Sequence, residues 1–136
     1  MRTVADIEAD LDAPLCGEEA ARLLGLGEEA LSLWLTAQGQ IPTHERSEGF
    51  RLLALHRQGA RRDPSFNACR ETCRELAYHF NLLHEAVDGP ETARQTQMMR
   101  ALARHLALFI GGKLENAGFG EFCCSSRALR VESTTH

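Results

Sequence analysis

The chain has no apolar run approaching the ~20 residues needed to span a bilayer. Its opening, MRTVADIEADLDAP, has neither the basic region nor the apolar block of a secretion signal. The expectation is therefore a cytoplasmic protein without a membrane partner. Aromatic residues are scarce, at 6%, and none of the common catalytic signatures occurs: no G-x-S-x-G, no P-loop, no strand-linked G-x-G-x-x-G, no H-E-x-x-H. Gly25-Leu26-Gly27 reads as a turn, and Glu18-Glu19 and Glu28-Glu29 as solvated helix starts. An enzyme is not expected, and no cofactor is implied. The five cysteines are odd in number and contain no C-x-x-C pair, which points to reduced thiols and away from a disulfide framework or a zinc knuckle. Internal repeats and low-complexity tracts are also missing.

At 136 residues, with 43% apolar and 25% charged side chains, the chain has the composition of one globular domain, or of one small domain with an extension. The net charge of −4 excludes a polycation that coats nucleic acid. The charge is unevenly spread. Residues 1–43 carry two basic and eight acidic side chains, whereas residues 44–74 carry seven arginines against four acids. Residues 75–136 carry six basic and seven acidic side chains. A basic segment thus sits inside an acidic protein. Arginine supplies fourteen of its fifteen cations, Lys113 being the other.

The pattern is mostly α. Residues 1–15 read as an acidic lead-in with a short helical stretch at Val4 to Leu11. A helix carrying Ala20, Ala21, Leu23 and Leu24 opens after Cys16, and Gly25-Leu26-Gly27 breaks it. A second helix carries Leu31, Trp34 and Leu35 until Gly39 and Pro42 stop it. Acids in the first turn of each suit the helix dipole. Thr43 to Leu55 fits a short hairpin leading into a helix, and residues 58–64 read as a linker. Beyond it, Phe66, Cys69, Cys73, Leu76, Phe80, Leu83 and Val87 follow a 3-4 seam. After the turn Asp88-Gly89-Pro90-Glu91, Met99, Leu102, Leu106 and Phe109 form a second seam that Ala103 and Ile110 widen. Residues 64–112 are thus an αα-hairpin, ended by Gly111-Gly112, for self-association or for docking a protein partner. Residues 113–136 form a tail containing glycine and cysteine.

The stretch Glu19-Ala20-Ala21-Arg22-Leu23-Leu24-Gly25-Leu26, then Glu28 to Trp34 and Gly39-Gln40-Ile41-Pro42, resembles the winged helix-turn-helix of the MerR and excisionase families. Arg46-Ser47-Glu48-Gly49-Phe50-Arg51 is similar to the family's wing. The resemblance covers residues 16–57. It implies a small DNA-binding transcriptional regulator with duplex DNA as partner. A homodimer is expected because a single module with few cations binds weakly and two linked half-sites multiply the affinity. Base contacts would come from Ser32, Thr36 and Gln38 on the second helix, and phosphate contacts from Thr43, His44, Arg46, Arg51 and Arg57 at the wing. The second helix departs from the family in having no Lys or Arg.

Cys69 and Cys73 lie one helical turn apart. They read either as small buried hydrophobes at seam positions or as thiolates for a metal or an oxidant. His79 is turned away from them, and His84 is about 16 Å along the helix at ~1.5 Å per residue. Further ligands would have to come from Cys123, Cys124 or His105. Two alternatives to the regulator therefore stand: a helical adaptor or inhibitor that binds protein, and a cysteine-based metal or redox sensor.

Overall fold

The computed structural model describes residues 2–12, 19–85 and 90–118. Five α-helices lie among the described residues: α1 (Val4–Asp12), α2 (Glu19–Ala37), α3 (Arg51–Arg62), α4 (Arg70–Glu85) and α5 (Pro90–Asn116), with a 3-10 helix at Pro64–Cys69 between α3 and α4. The mostly α reading holds. One apolar cluster runs from Val4 to Leu114 and joins all five helices.

α1 begins at a capping box. The Thr3 hydroxyl accepts from the Asp6 amide at 3.2 Å, and the Asp6 carboxylate accepts from the Thr3 amide at 2.9 Å. Val4, Ile7 and Leu11, spaced three and four apart, are its buried face. Carboxylates on and near α1 then take up cations. Arg2 pairs with Asp10 and, at 2.6 Å, with Glu29, while Arg104 pairs with Asp12. Arg100 reaches Glu19 at 3.2 Å and donates to the Leu11 carbonyl at 2.9 Å.

α2 corrects the helix-turn-helix expectation. It is one helix of 19 residues that passes straight through Gly25-Leu26-Gly27, so no turn separates two helices here. The physical reason lies at Gly27. A Cβ on this residue would stand 3.3 Å from Leu52, and 3.4 Å from both Leu76 and Leu106, side chains from α3, α4 and α5. Glycine weakens a helix interior by roughly 0.5–1 kcal/mol relative to alanine. Here its bareness lets three helices approach, and the packing offsets that cost. α2 is the central helix, with Leu23, Leu26, Ala30, Leu31, Leu33, Trp34 and Leu35 buried. It stops as expected at Gly39, whose φ of +78° completes a Schellman motif: Gly39 N–H donates to the Thr36 carbonyl and Gln40 N–H to that of Leu35.

The wing is the second correction. Among the described residues the only β pairing is a single antiparallel bridge between Ser47 and Phe50, closed by hydrogen bonds of 3.0 and 2.9 Å. Glu48 and Gly49 lie between them at φ of +54° and +87°. The segment before this turn is bound by side chains and not by a partner strand. Gln58 accepts from the Thr43 amide and donates to the Ile41 carbonyl, both at 2.9 Å, and Arg51 donates to the Thr43 carbonyl at 2.8 Å. α3 then starts at once, at Arg51.

Most of residues 58–64, read as a linker, continues α3 to Arg62. Asp63 breaks the helix and caps the 3-10 turn, accepting from Ser65 N at 3.2 Å, with Pro64 in the first position. Gly59 makes room for the Phe66 ring, which lies 2.6 Å from where a Cβ would be. α4 and α5 form the expected hairpin. Phe66, Cys69, Cys73 and Leu76 are buried and Phe80 and Leu83 pack on the core, while Val87 is outside the described residues. α2 and α5 cover this seam within the chain, so it is not an open surface for a second copy. α5 also continues through Gly111-Gly112 to Asn116, correcting its expected end. The buried Leu114 anchors the extra turn, as does Lys113, which meets Asp63 at 2.5 Å and sits 4.8 Å over the Trp34 ring.

Candidate functional site

Among the described residues the arginines other than Arg22 fall into two sets. Arg2, Arg94, Arg100 and Arg104 each pair with carboxylates. Within residues 46–74, Arg74 pairs with Glu48 at 3.1 Å, and no other arginine there meets a carboxylate among the described residues. Arg46 and Arg51 turn to the backbone carbonyls of Gly49 and Thr43, and Arg57 to the Ser47 hydroxyl at 3.3 Å. Arg61, Arg62 and Arg70 are exposed and meet no carboxylate among the described residues.

Four cations of this segment converge because of helix spacing. Arg57 and Arg61 stand four apart on α3, and Arg70 and Arg74 four apart on α4, so each pair shares a face. The 3-10 turn brings the two faces together. They line a cleft of about 520 Å³ with Ser47, Glu48 and Asn67, and with Leu53, His56 and Ala60 beside them. A second cleft of about 340 Å³ adjoins it, lined by Thr43, Glu45, Arg46, Ala54 and Gln58. Ser47, Arg57 and Arg61 belong to both. Unpaired guanidiniums offer several donors in a planar fork suited to phosphate or carboxylate.

His56 is buried, yet it lines the larger cleft. Its Nε2 donates to the Phe66 carbonyl at 2.9 Å, and its ring stacks on Phe66. Burial works to lower its pKa, but hydrogen bonding to Cys69 and to the Phe66 carbonyl leaves it raised overall. Cys69 is pulled down to about 6, first by the hydrogen bond from Cys73 and then, against burial, by His56. The same contact, with burial, pushes the Cys73 thiol up. Both sulfurs are closed to solvent within the core. Among the described residues no cluster of three His, Cys, Asp or Glu could hold a metal ion. Cys123 and Cys124 lie outside those residues.

The expected DNA-contacting residues are therefore placed unequally. Thr43, Arg46 and Arg57 line the clefts. Arg51 is half-buried and braces the loop, and His44 is exposed but lines neither cleft. Ser32 is half-buried on the central helix, and Thr36 and Gln38 are exposed only where that helix ends. A helix enters a major groove by presenting one long free face. α2 has none, since α1, α3, α4 and α5 all pack on it. Sequence reasoning missed Arg61, Arg70, Arg74 and Asn67. The signal was present as two arginine pairs at helical i, i+4 spacing on either side of Asp63-Pro64.

No protein-family model, curated protein or solved structure matches the chain. No helix among the described residues is long and apolar enough to cross a membrane.

Proposed function

We propose that this protein binds duplex DNA through phosphate contacts made by the arginine face of residues 46–74, as a small regulator and not as an enzyme. The observation that carries the reading is the set of exposed arginines, Arg57, Arg61 and Arg70, which line a cleft and have no carboxylate partner among the described residues, in a protein of net charge −4. Arg2, Arg74, Arg94, Arg100 and Arg104 are neutralised by carboxylates. Arg57, Arg61 and Arg70 are available to replace the counterions of a polyanion. Contacts of this kind position a duplex without reading its sequence. Arg46, which directly precedes the turn at Ser47–Phe50, lines the adjoining cleft that shares Arg57 and Arg61. One such face makes few phosphate contacts, so two copies on neighbouring sites would multiply the affinity.

The test is fluorescence anisotropy with a labelled duplex of about two helical turns, at low and moderate salt. Binding should weaken as salt rises, with a slope of about −0.9 for each phosphate contact. Arg57→Ala combined with Arg61→Ala should flatten the slope. Absence of binding at low salt would remove DNA as the partner.

A further inference from the structure

Two features of the larger cleft call for more than an internal backbone phosphate. The first is charge and shape. Four arginines, Arg57, Arg61, Arg70 and Arg74, line one concave space of about 520 Å³ together with Asn67 and Ser47, and Arg74 alone of the four meets a carboxylate among the described residues, that of Glu48. An internal phosphodiester carries a single charge and lies on the convex outside of a duplex. A phosphate monoester carries about −1.5 to −2 at neutral pH, presents three acceptor oxygens and can enter a concave site end-on.

The second feature is Glu48. Its φ of +54° is left-handed, in a two-residue turn whose central positions favour Asn and Gly. Gly49 meets that demand and Glu48 does not. The contact obtained is an ion pair with Arg74 whose side chains are 44% and 60% exposed. Such solvated pairs add little stability, so the pair alone does not account for the unfavourable backbone. The carboxylate does, however, stand at one of the four guanidiniums, where a bound anion would sit.

We propose that this cleft receives a phosphate monoester, the terminal phosphate of a nucleic-acid strand, held by Arg57, Arg61, Arg70 and Arg74, and that Glu48 is its internal stand-in, displaced from Arg74 on binding. The inference rests on the nucleic-acid reading above and adds the chemical group recognised. Glu45 gives an internal control: it lines the neighbouring cleft only, and its φ is not left-handed.

The experiment compares blunt duplexes of one sequence, with and without 5′-phosphates, in competition anisotropy with the full chain. The phosphorylated duplex should bind about tenfold more tightly, as charge-assisted bidentate contacts allow. Arg70→Ala, and separately Arg61→Ala, should erase the preference while leaving Tm unchanged. Glu48→Gln should tighten the phosphorylated duplex several-fold, and Glu45→Gln should leave the ratio of the two duplexes as it was. Equal binding of both duplexes would overturn the inference while leaving the DNA reading intact. No binding of either would overturn both. Displacement of the phosphorylated duplex by equimolar ribose 5-phosphate would overturn the assignment to a nucleic-acid end.

Discussion

The arginines that close α1 onto the helices around it and those that line the cleft share a side chain but differ in their surroundings. Around α1, Arg2, Arg100 and Arg104 meet Asp10, Asp12, Glu19 and Glu29, and Arg22 donates to the Asp10 carbonyl at 2.8 Å. The acidic character of the first 43 residues is thus partly consumed in holding the N-terminal helix. On α3 and α4 the acids are fewer, and Arg57, Arg61 and Arg70 meet no carboxylate among the described residues. The lesson concerns net charge. A total of −4 describes neither region, because the field at a surface follows from which charges are already paired nearby.

Removing the cleft set should have the largest effect on binding and almost none on folding. Replacing Arg57, Arg61 and Arg70 together by alanine should weaken duplex binding by about 100-fold at low salt, and the salt slope should fall by about 0.9 for each phosphate no longer neutralised. Their exposure predicts that thermal unfolding moves little, since such surface changes stay within about 0.5 kcal/mol each.

Gly59→Ala attacks the support beneath the cleft. A methyl group there meets the Phe66 ring at 2.6 Å, and Phe66 in turn holds His56. Overpacking of this kind costs about 1–3 kcal/mol. Denaturant unfolding should show that loss, and duplex affinity should fall with it because both arginine-bearing helices flank the displaced ring.

The arginines that clasp α1, namely Arg2, Arg100 and Arg104, should show the reverse division, with stability lost and binding kept. Arg100→Ala leaves Glu19 and the Leu11 carbonyl without this donor in a half-buried place, where the side chains are 26% and 18% exposed. A loss of about 1–2 kcal/mol in stability is expected, discounted for that exposure. Duplex affinity should not change. A parallel fall in affinity would show that the two sets are not separable.

The smallest effect concerns the junction between α3 and α4. Lys113 first, and then Ser65, hold the Asp63 carboxyl below its ordinary value of 3.8. A depressed carboxylate contributes stability that is present above its unfolded pKa and is lost as pH falls through the folded value. Asp63→Asn should therefore lower Tm by about 1–3 °C at neutral pH. The gap to the parent protein should close in strongly acidic solution. A gap that is independent of pH would assign the loss to the cap and not to the ion pair.

Much of the helical layout is legible in the sequence. The 3-4 seams place Phe66, Cys69, Cys73, Leu76, Met99 and Leu106 in the core, and all six are buried. Gly39 reads correctly as a stop because its left-handed φ is local chemistry. Gly27 misleads for the opposite reason, since its role depends on Leu52, Leu76 and Leu106 arriving from three later helices. Gly112 simply continues its helix, with open space around its α-carbon. The wing misleads because Arg46 to Phe50 carries the residues of a hairpin tip, while the strands that would extend it are replaced by contacts to Gln58 and Arg51. The basic segment 44–74 is visible as composition. Its best-placed members are not, since Arg61 and Arg70 become neighbours only after the chain turns at Asp63 to Cys69.

If the cleft arginines, and not α2, meet the nucleic acid, titration of ¹⁵N-labelled protein with duplex DNA will show where. Amide shift changes should concentrate at residues 46–48, 57, 61, 67, 70 and 74, with Ser32, Thr36 and Gln38 unmoved. Changes centred on Ser32, Thr36 and Gln38, or on the clasp around Arg2 and Arg100, would contradict contact through the cleft arginines.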